Sequence, residues 1–179
     1  MVNSLEQDIV ALYNRDLTAS LSINEIARSL KKTYPYIYKK VNSLIQKEIL
    51  KRTVIGRSHV CTINLQSELA ILLLSINEVQ KKQDLKKTSK EFRFIADILE
   101  NEADNIITAV RIRQKIILVT SKPKHINIPQ AVFMDKRTFL AYLVEEDMAD
   151  HAILYSCEQF FNCIKELEPK LRTKRLRQR

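Results

Sequence analysis

The sequence predicts an α+β chain: an N-terminal helical domain closed by a β-hairpin, a helical linker, and a small C-terminal mixed α/β domain. Three observations carry this. Apolar residues recur at helical spacing up to about Lys47, and two β-like runs, Leu50 to Val54 and His59 to Leu65, flank the only glycine of the 179 residues, Gly56. Beyond Asn105 the pattern changes to strands rich in Ile and Val, alternating with amphipathic segments.

The N-terminal elements follow in order. Leu5, Ile9, Leu12 and Tyr13 mark a first helix from about Ser4 to Arg15. Ser22 followed by Glu25 is a capping-box pattern, in which hydroxyl and carboxylate each satisfy an amide left free at a helix start, and Ile23, Ile26, Ala27 and Leu30 form the stripe of helix two. Lys31 and Lys32 make a short turn, and Thr33 is a suitable N-cap for helix three, with Pro35 tolerated in its first turn. Ile37, Val41 and Leu44 face inward. Tyr36, Lys39, Ser43 and Gln46 lie opposite, flanked by Lys40 and Asn42. Gly56 supplies the positive φ that the hairpin turn needs.

Two short helices followed by a basic hairpin are the order of a winged helix-turn-helix, with helix three as the recognition element and the hairpin as the wing. Such a helix needs hydrogen-bonding side chains for base edges and cations or hydroxyls for phosphates. The candidate DNA-binding residues are therefore Thr33, Tyr34, Tyr36, Lys39, Lys40, Asn42 and Ser43 on the helix, and Arg52, Arg57, Ser58 and His59 on the wing. Tyr34 and Tyr38 lie close enough to the buried stripe that packing and DNA contact are both open for them. His59 is the weakest member, since a lone histidine on a strand more often serves structure.

Charge supports the same reading. The net charge is +9, yet residues 1–65 hold ten Lys/Arg against five Asp/Glu, residues 66–100 six of each, and residues 101–169 eight against ten. The last ten residues add Lys170, Arg172, Lys174, Arg175, Arg177 and Arg179 with no acid. Basicity is thus confined to the two ends, as expected of a nucleic-acid reader with a neutral or acidic second domain. With only two apolar residues, the segment from Leu171 to Arg179 is expected to be a mobile arm reaching further phosphates.

The rest of the chain divides as follows. Leu69, Leu72, Leu73, Ile76 and Val79 predict a helix from about Ser67 to Lys87, serving as linker or as a dimerisation surface. Thr88-Ser-Lys-Glu91 reads as a second capping box, opening a helix through Phe92, Ile95, Ile98 and Leu99. Strands are expected at Asn105 to Ile112, Lys115 to Thr120, His125 to Met134 and Ala152 to Tyr155. Asp135 caps a helix containing Phe139, Leu140 and Leu143, and Cys157, Phe160, Phe161, Ile164 and Leu167 mark the last one. The domain boundaries expected are 1–66, 67–88, 89–168 and a basic tail 169–179.

Several functions are excluded or left without support. A single glycine cannot build the G-x-G-x-x-G or G-x-x-x-x-G-K-[ST] loops whose backbones approach phosphates. Glu145, Glu146, Asp147 and Asp150 are consecutive carboxylates that do not converge as metal ligands must, Glu168-Pro-Lys170 lacks the strand and partner aspartate of a nuclease motif, and His125 and His151 have no triad partner at a motif spacing. Cys61, Cys157 and Cys163 fit no disulfide or zinc pattern and read as small apolar residues in a reducing compartment. Neither a signal peptide nor a membrane span is expected, so the location expected is the cytoplasm. No cofactor and no metal are expected, and no enzymatic activity.

The run Leu21-Ser-Ile-Asn-Glu-Ile-Ala-Arg-Ser-Leu, then Thr33-Tyr-Pro-Tyr-Ile-Tyr-Lys-Lys-Val, then Ile49-Leu-Lys-Arg and Cys61-Thr-Ile-Asn-Leu resembles archaeal winged-helix proteins of the MarR-like type. The resemblance covers residues 1 to about 80 and implies a transcriptional regulator that binds double-stranded DNA, as a monomer or a homodimer, with any effector unknown. It departs at Glu48, where such domains usually carry glycine; a glutamate in the left-handed region there costs about 1 kcal/mol. Ile116-Ile-Leu-Val-Thr-Ser, Val132-Phe-Met-Asp-Lys-Arg-Thr-Phe-Leu and His151-Ala-Ile-Leu-Tyr-Ser-Cys-Glu-Gln-Phe-Phe faintly resemble minimal nucleotidyltransferase-like domains that follow such winged helices. An active member of that group would carry a Gly-Ser pair and an Asp-x-Asp pair, and this chain has neither, which implies a degenerate domain. The alternatives are a chromatin-type or RNA-binding protein working through the basic tail, and, less favoured, an active nucleotidyltransferase or nuclease.

Overall fold

The computed structural model describes residues 4–55, 58–101, 105–121, 128, 131–145 and 151–177. The chain divides into two compact units, Met1–Asn77 and Glu78–Arg179.

In the first unit, α1 (Ser4–Arg15), α2 (Ile23–Ser29) and α3 (Tyr34–Gln46) precede an antiparallel hairpin of β1 (Leu50–Ile55) and β2 (Ser58–Ile63). Leu21 adds a single-residue bridge to Cys61, through Leu21 N–H to the Cys61 carbonyl at 3.0 Å and the reciprocal bond at 2.8 Å, so the sheet gains a third, minimal strand. The same Cys61 carbonyl accepts the Tyr13 hydroxyl at 2.9 Å, which lets α1 bury a tyrosine in full. Ile9, Val10, Ile26, Ile37, Val41 and Leu44 meet in the core between the three helices. The first half of α4 (Glu68–Thr88) closes this unit with Ala70, Ile71, Leu73 and Leu74 buried, and Asn14 donates to the Leu74 carbonyl at 3.0 Å.

Ser22 caps α2 as expected: its hydroxyl accepts from Glu25 N–H at 3.2 Å while the Glu25 carboxylate accepts from Ser22 N–H at 2.7 Å. Both α2 and α3 end without glycine. After α2, Lys31 (φ 52°) donates to the Arg28 carbonyl and Lys32 to that of Ala27; after α3, Glu48 (φ 56°) donates to Ile45 and Ile49 to Leu44. Each pair of bonds is a Schellman motif, which satisfies the carbonyls a helix leaves open at its end. The Asn64 amide then donates to the Glu48 carbonyl at 2.7 Å, tying the helix exit to the strand end.

The second unit is a sheet covered on both faces. Its strands, β3 (Ile106–Ile112), β4 (Lys115–Thr120), β5 (Ala131–Met134) and β6 (His151–Tyr155), lie in the order β5-β4-β3-β6, with β4 and β5 parallel and the other pairs antiparallel. α5 (Lys90–Asn101) packs Phe92, Ile95 and Leu99 against Ile106, Ala109, Ile116, Leu118 and Leu154. α6 (Lys136–Glu145) and α7 (Cys157–Arg177) supply Phe139, Phe160 and Phe161 to a second core, where His151 stacks on Phe160 at 5.4 Å between ring centroids. His151 is fully buried there, with its Nε2 3.9 Å from the buried Glu78 carboxylate. Asp135 caps α6 through Thr138 N–H at 2.7 Å, as the sequence predicts.

Two expectations are corrected. The cap of α5 is Ser89, whose hydroxyl accepts from Phe92 N–H at 3.2 Å; Thr88 remains in α4, with its hydroxyl donating back to the Asp84 carbonyl at 3.0 Å. The basic C-terminal segment is helical as far as Arg177 rather than an unstructured arm. Among the described residues no helix is long and apolar enough to cross a membrane.

Candidate nucleic-acid interface

Geometry at α3 begins with its buried seam. Ile37, Val41 and Leu44 are fully buried, which fixes the rotation of the helix and turns Tyr36, Lys39 and Gln46 outward, with Ser43 at the edge of the core. Lys47 is anchored by a 2.8 Å ion pair to Glu6 of α1, whose carboxylate is almost fully buried. The helix is thus held at its middle by apolar contact and at its end by charge.

α3 carries no acidic residue along its length. Thr33 occupies its N-cap position with extended backbone, yet its side chain makes no capping bond, so an exposed hydroxyl stands at the positive end of a 13-residue helix. Tyr34, Tyr36 and Tyr38 are all exposed. Tyr34 and Tyr38 stack on each other at 5.9 Å with 29° between the rings. Both rings thus lie on the surface against each other, and neither packs into the core. Lys39 is exposed and Lys40 and Asn42 are half-buried beside it.

On the wing, Arg52 and His59 are exposed. The Arg52 guanidinium donates to the Asn42 side-chain oxygen at 2.6 Å. Two residues expected to face DNA independently therefore brace α3 against β1, and Arg52 also stands opposite Cys61 in the hairpin register. Burial pushes the Cys61 thiol above its ordinary range, an effect that Arg52 partly offsets. Arg57 lies outside the described residues, and Ser58 is placed only as the first residue of β2. Of the tail, Arg172, Lys174, Arg175 and Arg177 lie on the C-terminal turns of α7 in the second unit, and Arg179 lies outside the described residues. The carboxylates Glu146, Asp147 and Asp150 and the histidine His125 also lie outside them.

Sequence reasoning missed one cationic group. A surface depression of about 440 Å³ beside the α2–α3 turn is lined by Asn24, Ala27, Arg28, Lys31, Lys32 and Tyr34. Arg28, Lys31 and Lys32 are exposed, and two of them belong to the Schellman turn that delivers the chain to Thr33. The signal was present as three cations within five residues before a helix start. Among the described residues no group of three or more His, Cys, Asp or Glu side chains is placed to hold a metal ion.

No family model matches the chain, and no curated protein is similar to it. Among solved structures it is similar to MepR, a transcription regulator of the Staphylococcus aureus multidrug efflux pump MepA, at 17% identity and a TM-score of 0.40, covering 57% of this chain and 77% of that one. It is similar to the adhesin competence repressor AdcR of Streptococcus pyogenes at 18% identity and a TM-score of 0.40, covering 57% of this chain and 81% of that one. A mutant of Lactococcus lactis ZitR gives 17% identity and a TM-score of 0.38, covering 57% of this chain and 74% of that one. Likeness at this level carries no inference about function.

Proposed function

We propose that this chain is a sequence-specific double-stranded DNA-binding protein acting as a transcriptional regulator, with α3 in the major groove and the β1–β2 wing on the backbone or in the minor groove. The observation that carries the reading is the outer face of α3: an acid-free row of Thr33, Tyr36 and Lys39 over a fully buried seam, beside Arg28, Lys31 and Lys32. Base reading requires a rigid helix presenting donors and acceptors, and phosphate contacts set its register. In this reading Thr33, Tyr34, Tyr36, Lys39, Lys40 and Ser43 meet DNA from the helix, and Arg57, Ser58 and His59 from the wing. Arg52 and Asn42 act by holding helix and wing together. The second unit serves dimerisation, ligand sensing or protein contact without catalysis, and the chain acts as a homodimer that offers two copies of α3 to one site. Arg172, Lys174, Arg175, Arg177 and Arg179 add contacts to phosphates.

The test is fluorescence anisotropy with selected and random duplexes. Lys39→Ala and Arg57→Ala should each weaken binding and lower the salt slope by about one, with circular dichroism unchanged. Unchanged affinity in both variants would overturn this docking mode. Equal affinity for selected and random duplexes would favour the chromatin-type alternative.

A further inference from the structure

The N-terminal half of α3 offers base edges a narrow chemistry. Adenine is read by side-chain amides, guanine by cations, cytosine by carboxylates, and thymine by apolar contact with its C5-methyl group. Between Tyr34 and Gln46 the helix holds no carboxylate and no arginine. Its two amides are placed elsewhere. Asn42 accepts the Arg52 guanidinium through its side-chain oxygen at 2.6 Å, so it cannot offer an adenine the paired donor and acceptor, and Gln46 lies at the far end of the helix. The three exposed tyrosines are not equivalent either. Tyr34 and Tyr38 stack on each other at 5.9 Å, and Tyr34 also lines the depression with Arg28, Lys31 and Lys32, which sets it toward phosphates. Tyr36 is 49% exposed and makes no hydrogen bond or ring contact among the described residues. Pro35 stands exposed beside it, and Lys39 follows about one turn on along the same face. The buried seam of Ile37, Val41 and Leu44 fixes the rotation of the helix and so the side from which this ring projects.

We infer that Tyr36 is a specificity-determining residue that selects thymine, its ring lying against the C5-methyl group in the major groove. Pro35 extends the apolar surface, and Lys39 holds the adjoining phosphate. The inference rests on the DNA-binding reading above and names the base that the helix reads. Tyr36 is the one aromatic side chain of α3 that is exposed without a stacking partner, and it sits where the helix has no other base-specific group. A tyrosine can also bond to a base edge through its hydroxyl, so the test has to separate the ring from the hydroxyl.

Selection of the intact chain's preferred sequence from a randomised duplex library supplies the probe. In the selected duplex each thymine is replaced in turn by deoxyuridine, which removes the methyl group and leaves every hydrogen-bonding edge in place. Fluorescence anisotropy should then show at least one position where deoxyuridine weakens the unsubstituted protein about fourfold, the worth of burying a single carbon group. At that position Tyr36→Ala should bind the two duplexes alike. Its circular dichroism should match the parent's, because the side chain is exposed. Tyr36→Phe should keep the discrimination, and so should Tyr34→Ala. Equal binding of thymine and deoxyuridine duplexes by the unsubstituted protein at every position overturns the inference. So does discrimination that survives in Tyr36→Ala, or that disappears in Tyr36→Phe. In each of those cases a preferred sequence still exists, and the DNA-binding reading stands. A library that yields no preferred sequence overturns the sequence-specific reading instead, and the assignment of thymine falls with it.

Discussion

Replacing Glu48 by glycine should stabilise the protein, and the size of the gain follows from the geometry of one residue. Glu48 sits at φ 56°, where the Cβ of an L-residue crowds its own carbonyl at about 1 to 2 kcal/mol. Glycine removes that strain, but frees the unfolded backbone at about 0.5 to 1 kcal/mol. The Glu48 side chain is exposed, so no apolar burial is lost. The bonds that define the turn all use backbone atoms at position 48: its N–H to Ile45 and its carbonyl from the Asn64 amide at 2.7 Å. They survive the substitution. The net gain for Glu48→Gly is therefore about 0.7 kcal/mol, with the ends of the two ranges spanning about 0 to 1.5, read as a higher urea midpoint at unchanged m-value. In a chain of this size it raises the melting temperature by roughly 1 to 4 °C. Glu48→Ala keeps the Cβ and should show no comparable gain. A midpoint that is unchanged or lower in Glu48→Gly would refute the assignment of strain to this residue.

Lys31→Gly should raise stability by a similar amount while weakening DNA binding, measured as paired urea and anisotropy titrations. Truncation after Pro169 should lower affinity for selected and random DNA by similar factors and flatten the dependence of log K on log salt; an unchanged slope would confine DNA contact to the first unit. Burial, and then the nearby Glu78 carboxylate, push the Cys157 thiol from its ordinary 9.0 up to about 11. At pH 8 the native protein should therefore expose about 100-fold less thiolate at Cys157 than the urea-unfolded chain, seen as slow disulfide exchange with Ellman's reagent. Reaction of that thiol at the unfolded rate would contradict its burial.

Local chemistry was the legible part of the sequence. α1 runs over the expected residues and the Ser22–Glu25 box forms with both of its bonds, because each depends on neighbours three or four positions apart. At Thr88 the same kind of pattern misled. A threonine hydroxyl can bond back to the preceding turn, and here it does, leaving Ser89 to start α5. The C-terminal segment misled for another reason. Judged by its own apolar content it cannot fold, but it follows a helix already nucleated by Phe160, Phe161 and Ile164, and each added Lys, Arg or Leu extends that helix at little cost. Asn42 and Arg52 were each legible as candidates; their bond was not, since it depends on where the hairpin lands relative to α3.

The two left-handed turns that bracket α3 show why strain of equal size has unequal standing. At Lys31 the side chain that causes the strain is one of three cations lining the depression before α3, so glycine there would relieve the backbone and remove a charge from the proposed phosphate contact. At Glu48 the side chain is an exposed acid just past the C-terminal end of the same helix, where it adds an unfavourable charge to the helix dipole and, in the proposed docking mode, would repel DNA phosphates. Among the described residues its carboxylate has no compensating hydrogen bond or ion pair. Strain at Lys31 is thus tied to binding, whereas strain at Glu48 has no such return. Substituting glycine at each should therefore move stability the same way and DNA affinity in opposite ways, and a common fall in affinity would mean that the cap geometry itself, rather than the charge it carries, positions α3 on DNA.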